Sequence, residues 1–265
     1  MRYFRIFLLH FQQAFEQRDR SLVWFLLAVL NPLLVLVFWL GVYHNKTGTL
    51  EGWGFSAITS YYFLLIIASS FLMTHHEQDI AVLDIQEGGL VKYLMKPFSY
   101  YWTYFILEFA WRILQGIFAL IVFLTLSFLF NNFTVFSLSL QTFILAVTII
   151  ALGYFLSFTF KMLLGLSAFW VTDFWGIQQL CEVVILALAG FLMPIDLFPP
   201  LMQKIALATP FPYMVYYPLV AFQGKLSIFE LLKVISVQAI WLAALLLVYK
   251  WMWRSGIKKF TGIGQ

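Results

Sequence analysis

Three groups of side chains along the chain could do chemistry. The run Thr74-His75-His76-Glu77-Gln78-Asp79 offers two imidazoles and two carboxylates, the donor types of a metal site. Adjacent residues on a helix point about 100° apart, so His75 and His76 chelate one ion poorly, and no metal is assigned. Glu182 lies near the middle of the otherwise uncharged run 174–195. A charge at that depth costs about 2.5–3.5 kcal/mol on insertion scales, so it must face protein or a water cavity. Two readings follow: Glu182 lines a path and meets a polar or cationic solute, or it bonds to a neighbouring helix. Glu108 and Arg112 are four residues apart and share a helix face, which lets them pair as an interface anchor.

Enzymes need such groups clustered at one depth. Glu182 stands alone at its depth and the histidines fall at the edges of apolar segments, so an intramembrane transferase is the weaker reading. A non-transporting scaffold is a second alternative. Nucleotide hydrolysis lacks its phosphate loop: no G-x-x-x-x-G-K-[ST] occurs, and Gln223-Gly224-Lys225-Leu226-Ser227 misses the first glycine and the metal-binding hydroxyl.

The elements that must position these groups are apolar helices. Of the 265 residues 63% are hydrophobic and 11% charged, and the mean hydropathy is +0.90. A water-soluble domain of this length needs more polar surface, so lipid is the expected solvent. Six segments approach the roughly 20 apolar residues of a crossing, at 22–43, 56–74, 104–130, 138–160, 175–194 and 229–249. The fold class is therefore an all-α membrane protein with six transmembrane helices, the first kinked at Pro32. The pieces between spans are too short to bury cores of their own, giving a single domain over 1–265. One cysteine, Cys181, precludes an internal disulfide.

Eleven lysines and arginines fall on one side: Arg2, Arg5, Arg18, Arg20, Lys92, Lys96, Lys161, Lys250, Arg254, Lys258 and Lys259. Lys46, Lys204, Lys225 and the borderline Lys233 fall on the other, which predicts cytoplasmic N and C termini. Residues 1–20 carry Phe4, Phe7, Leu8, Phe11 and Phe15 at helical spacing, the pattern of an interfacial amphipathic helix. The sequons at Asn45 and Asn132 fall in outer loops.

Two loops stand out. The stretch "DIQEGGLVKYLMKPFSYY" at 84–101 keeps a polar helix pattern between two apolar spans. Asp84 with Glu87 has capping-box spacing, Leu90, Tyr93 and Leu94 share a face, and Pro97 stops the helix. A short helix of this kind over 84–97 suits docking onto a soluble partner. The outer stretch 195–228 combines Pro199, Pro200, Pro210, Pro212 and Pro218 with apolar residues, predicting short broken helices that re-enter the outer leaflet. Asp173, before span five and beside Trp170 and Trp175, reads as a helix-start residue.

"DIQEGGLVKYLMKP" resembles the cytoplasmic coupling segment of ABC-2 type permeases, the membrane subunits of ATP-binding-cassette exporters. The segment from Phe169 to Lys225 is similar to that family's fifth span and outer re-entrant region, and "GIKKFTGIGQ" to the closing motif of its compact six-span branch. Lys96 departs from the arginine common in relatives, keeping the charge without the planar fork. The resemblance implies a half-transporter in the bacterial plasma (inner) membrane. A second permease, identical or sister, and two cytoplasmic ATPase subunits would complete it; ATP and Mg would bind the ATPases, with no cofactor in this chain and no nucleic-acid partner. It implies that Glu87, Leu90, Leu94 and Lys96, ahead of Pro97, face the ATPase, with Gly88 and Gly89 permitting close approach. It makes Gly190, Pro194, Pro199, Pro200, Pro210 and Pro212 an outer gate, and hydrophobic or cationic drugs, lipids or glycoconjugates the cargo.

Overall fold

The computed structural model describes residues 2–44, 49–50, 52–129 and 139–260. The sequons at Asn45 and Asn132, Lys46 and the last five residues of the closing motif lie outside them. The described chain is helical: α1 (Arg2–Glu16), α2 (Arg18–His44), α3 (Phe55–Phe71), a π-helix (Asp79–Gln86), α4 (Val91–Leu94), α5 (Tyr100–Leu129) and α6 (Leu140–Leu166). Then follow α7 (Phe174–Leu188), α8 (Pro200–Leu207), α9 (Phe211–Met214), α10 (Tyr216–Phe222) and α11 (Ile228–Ile257).

Among the described residues four helices, α2, α5, α6 and α11, are long and apolar enough to cross a membrane. The other two expected spans are shorter. With 17 and 15 residues, α3 and α7 reach about 26 Å and 23 Å at 1.5 Å per residue, against a hydrocarbon core of about 30 Å. Both are cut short for local reasons. α3 runs into the polar stretch 74–79, and α7 ends at Leu188, with Ala189 as its cap before Gly190, whose φ of +97° only glycine adopts easily. Non-helical backbone at such depth is tolerated when protein covers it. That holds here, because Leu72, Met73, Thr74, His76 and Glu77 are buried beyond α3, and Gly190, Phe191 and Ile195 beyond α7.

α3 is the central element. Residues Ile58–Ile66 are buried without interruption, and the helix packs against α2, α5 and α10. α6 packs along α11 and against α9 and α10. Ser139 caps α6 and Asp173 caps α7, accepting from Thr142 N–H and Gly176 N–H. α11 starts with a capping box that the sequence reading passed over: Ser227 Oγ accepts from Glu230 N–H, and Glu230 accepts from Ser227 N–H at 2.8 Å.

α1 packs on α5, with the Phe7 ring 6.4 Å from Phe109, and α2 continues along it with Phe25 5.9 Å from Phe118. These contacts lie 18 residues apart on α1–α2 but nine apart on α5, so a straight helix, about 27 Å against about 14 Å, cannot make both. The chain therefore turns at Gln17. Phe4, Leu8, Leu9 and Phe15 of α1 remain exposed.

Candidate functional site

The segment between α3 and α5 has a rigid stem and an exposed tip. Asp84 does not cap a helix start; it lies inside the π-helix and is fully buried. Tyr100 and Tyr104, one turn apart on α5, both donate to its Oδ2, at 2.8 and 2.5 Å, and Lys92 pairs with Oδ1 at 3.2 Å. Burial alone would lower the Lys92 ammonium, but Asp84 and Tyr93 raise it above the usual lysine value, so it is charged at neutral pH.

After the π-helix the backbone folds back on itself. Glu87 N–H donates to Val82 C=O, Gly89 N–H to Leu83 C=O and Leu90 N–H to Asp84 C=O, at 2.8–3.1 Å. Gly88 takes φ +82°, and a Cβ on Gly89 would come within 2.5 Å of the Leu83 carbonyl oxygen. The close approach these glycines serve is thus to their own chain. Leu90 is also corrected: it is fully buried with Ile80, Ile85, Tyr100 and Leu166, and no partner can touch it. The expected helix over 84–97 is only the single turn α4, ended before Pro97. Glu87, Leu94, Met95, Lys96 and Pro97 form the exposed tip, Met95 being 77% exposed.

Behind this stem lies a polar network joining α6, α7 and the residues that lead into the π-helix. Lys161 was expected in the loop after the fourth span; α6 instead runs on to Leu166 and encloses it, leaving it fully buried. Its ammonium bonds Glu77 Oε1 at 2.8 Å and also Glu182 Oε1. Gln178 Nε2 donates to Glu77 Oε1 at 3.2 Å, and Gln78 Nε2 to Gln178 Oε1 at 3.2 Å. Glu182 is therefore not alone at its depth. Its side chain is 33% exposed, so one side of the carboxylate meets Lys161 and the other leaves the chain.

Glu108 and Arg112 pair at 2.8 Å, buried rather than at a surface. Glu108 Oε1 also accepts from His75 N–H at 3.1 Å, while Arg112 Nη1 donates to Gln115 Oε1 and to Ser70 C=O. The pair thus pins the end of α3 to α5. His76 is buried, stacked on Phe158 with ring centroids 4.4 Å apart. Ligand atoms of His75, Glu77 and Glu182 lie within 4.8 Å of one another, a cluster that residue spacing could not reveal. Lys161 already lies against both carboxylates, so an ion would have to compete with a built-in cation.

The opposite end is tied down from α3. Tyr61 Oη donates to Gly190 C=O and Tyr62 Oη to Leu192 C=O, each at 2.7 Å, and Trp39 Nε1 donates to Tyr62 Oη at 2.8 Å. A Cβ on Gly190 would meet Tyr61 Oη at 2.6 Å. Pro194 precedes a 3-10 turn at Ile195–Leu197, Pro199 and Pro200 start α8, and Pro210 and Pro212 flank the first residue of α9. A cavity of about 510 Å³ opens here, lined by Trp53, Asp196, Tyr216, Lys225 and Lys233 among others. Trp53 Nε1 donates to Asp196 Oδ2 at 3.1 Å, and Lys225 Nζ stands 2.9 Å from the centre of the Trp53 ring. Burial lowers the Lys225 ammonium to about 8, with Asp196 opposing the shift.

Among the described residues, four long apolar helices and two shorter ones, with Glu77, Glu108, Arg112, Lys161 and Glu182 held in ion pairs, define a multi-pass membrane protein. A family profile described as "ABC-2 family transporter protein" matches residues 29–264. The chain belongs to this family and is a transporter membrane component. No curated protein and no solved structure matches it.

Proposed function

We propose that the chain is the permease half of an ATP-binding-cassette exporter in a bacterial plasma membrane. Two permeases, identical or sister, form the solute path, and two cytoplasmic ATPase subunits bind ATP and Mg and drive it. The end carrying residues 72–99 faces the cytoplasm. With Lys161 buried, ten basic residues remain assigned to that end against four at the other, so the charge asymmetry that orients the chain persists. Family membership supports an ATPase partner.

One observation carries the docking site: an exposed tip of Glu87, Leu94, Met95, Lys96 and Pro97 stands on a stem fixed by Asp84, Tyr100, Tyr104 and Leu90. A push on such a tip is not absorbed by a soft loop. It reaches Glu77, two residues before the π-helix, and from there Lys161 and Glu182 on α7. Glu182, a third exposed and backed by an ammonium, faces the solute path; a hydrophobic or cationic amphiphile is the cargo class it suits. Residues 195–228 form the outer re-entrant gate that opens at the far end.

The test is co-purification of the chain from its native membrane. An ATPase subunit is expected to accompany it. Glu87→Lys with Met95→Asp is expected to release that subunit at least ten-fold, while Lys204→Glu at the opposite end leaves it bound. Undiminished capture by the double variant would move the contact elsewhere on the chain.

A further inference from the structure

A second cavity, of about 370 Å³, lies on the docking end between α1 and the segment that runs from α4 into α5. His10, Lys92 and Lys96 bring nitrogen-bearing side chains to its wall, and Ile6, Leu9 and Phe98 supply apolar surface. Among the described residues the wall contains no carboxylate, although Asp84 holds Lys92 from behind at 3.2 Å. Lys96 makes no ion pair among the described residues, and its side chain is exposed. Lys92 lies on α4 and Lys96 two residues beyond its last turn, and both line the cavity beside α1. Of the tip residues, Lys96 lines the cavity and Leu94 and Met95 do not.

The depth of this cavity follows from α1. Its exposed Phe4, Leu8 and Phe15 share one side and need an apolar solvent, whereas Arg5, Gln12, Gln13 and Glu16 on another side need water. A helix so divided lies at the boundary between acyl chains and headgroups. The groove beside it therefore opens at headgroup level, with cations on one wall and apolar side chains on the other. At about 30 Å³ per water it has room for roughly a dozen waters, enough for a phosphate and its glycerol.

We infer that this groove binds the phosphodiester headgroup of an anionic phospholipid of the inner leaflet, with Lys92 and Lys96 on the phosphate and Ile6, Leu9 and Phe98 along the glycerol and first methylenes. The lipid would wedge α1 against the docking segment, so that leaflet composition sets how firmly the stem is held. The inference shares with the proposed function the placing of this end at the inner leaflet, but it does not depend on any ATPase.

The experiment uses the full chain alone, in nanodiscs containing equal parts phosphatidylglycerol and phosphatidylcholine, released into the gas phase for native mass spectrometry. Retention of phosphatidylglycerol over phosphatidylcholine is expected. Lys96→Gln should cut that retention about five-fold, the loss that one basic residue near an anionic surface corresponds to. Lys92→Arg should preserve it, and Lys204→Gln should have no effect. Lys92→Gln is the second removal, read together with a thermal midpoint because it also frees Asp84. Equal retention of the two lipids, or no change in Lys96→Gln, would overturn the site. So would competition by free glycerol 3-phosphate as effective as by the lipid, since the occupant would then be a soluble anion. If Lys96→Gln sheds the co-purifying ATPase while lipid retention stands, the groove is a protein contact and the lipid inference fails although the proposed function survives.

Discussion

Lys161 shows how one side chain changes the reading of its neighbours. In the sequence it follows an apolar run and looks like the first charge beyond a membrane span. In the fold it is fully buried against Glu77, also fully buried, and Glu182. Removing one partner of such a pair leaves an uncompensated buried charge, which typically costs about 3–5 kcal/mol. Lys161→Met is therefore expected to lower the thermal midpoint of the detergent-solubilised chain sharply. Adding Glu77→Gln should recover a substantial part of the loss, because the two residues form one unit. Glu182→Gln should cost much less stability, since that carboxylate is a third exposed, while still altering transport. Equal midpoints for Lys161→Met and Glu182→Gln would show that Lys161 is not the keystone of the network.

The segment 84–97 illustrates what local pattern can and cannot specify. The Asp84–Glu87 spacing and the Leu90–Tyr93–Leu94 stripe are those of a short capped helix, and the residue types correctly mark a polar element ended by Pro97. What overrides them is tertiary: Tyr100 and Tyr104, from the next helix, claim the Asp84 carboxylate, and the apolar cluster beneath claims Leu90. A capping box does exist at Ser227–Glu230, where nothing competes for the two side chains. The long apolar helices were legible from length and composition. The shortness of α3 and α7 was not, because it depends on protein covering the non-helical backbone that follows each. The His75–Glu77–Glu182 cluster was equally hidden, since it joins residues more than a hundred positions apart. Gly89→Ala tests the fold-back directly. With Leu83 C=O standing where the Cβ must go, the tip has to shift. ATPase capture should fall several-fold, with a smaller drop in thermal midpoint than for Lys161→Met. Unchanged capture would mean that the tip tolerates displacement and that the stem's rigidity is irrelevant to docking.

At the scale of the whole molecule, α7 exposes polar side chains that its own chain leaves uncovered. Phe174, Gln178 and Ile185 are its only buried residues, whereas Trp175, Gln179, Leu180 and Val183 are exposed and Glu182 partly so. Trp175, Gln179 and Glu182 recur at i, i+4 and i+7 and so form one stripe. An amide and a carboxylate on the outside of an apolar helix are costly against acyl chains, so this stripe must meet protein or water rather than lipid. α11 offers the contrast: its exposed residues include Ile240, Leu247 and Val248, which suit lipid. A second permease facing α7 would place two copies of Glu182 around one aqueous path. That arrangement predicts a cross-link. In a Cys181→Ser background, Gln179→Cys treated with a short bifunctional maleimide in native membranes should yield a band at twice the permease mass, or at the summed mass if the companion is a sister chain with a cysteine opposite. Leu247→Cys under the same treatment should stay monomeric. A dimer trapped through position 247 and not through 179 would put α7 against lipid, and Glu182 would then be a structural partner of Lys161 rather than a wall of the path.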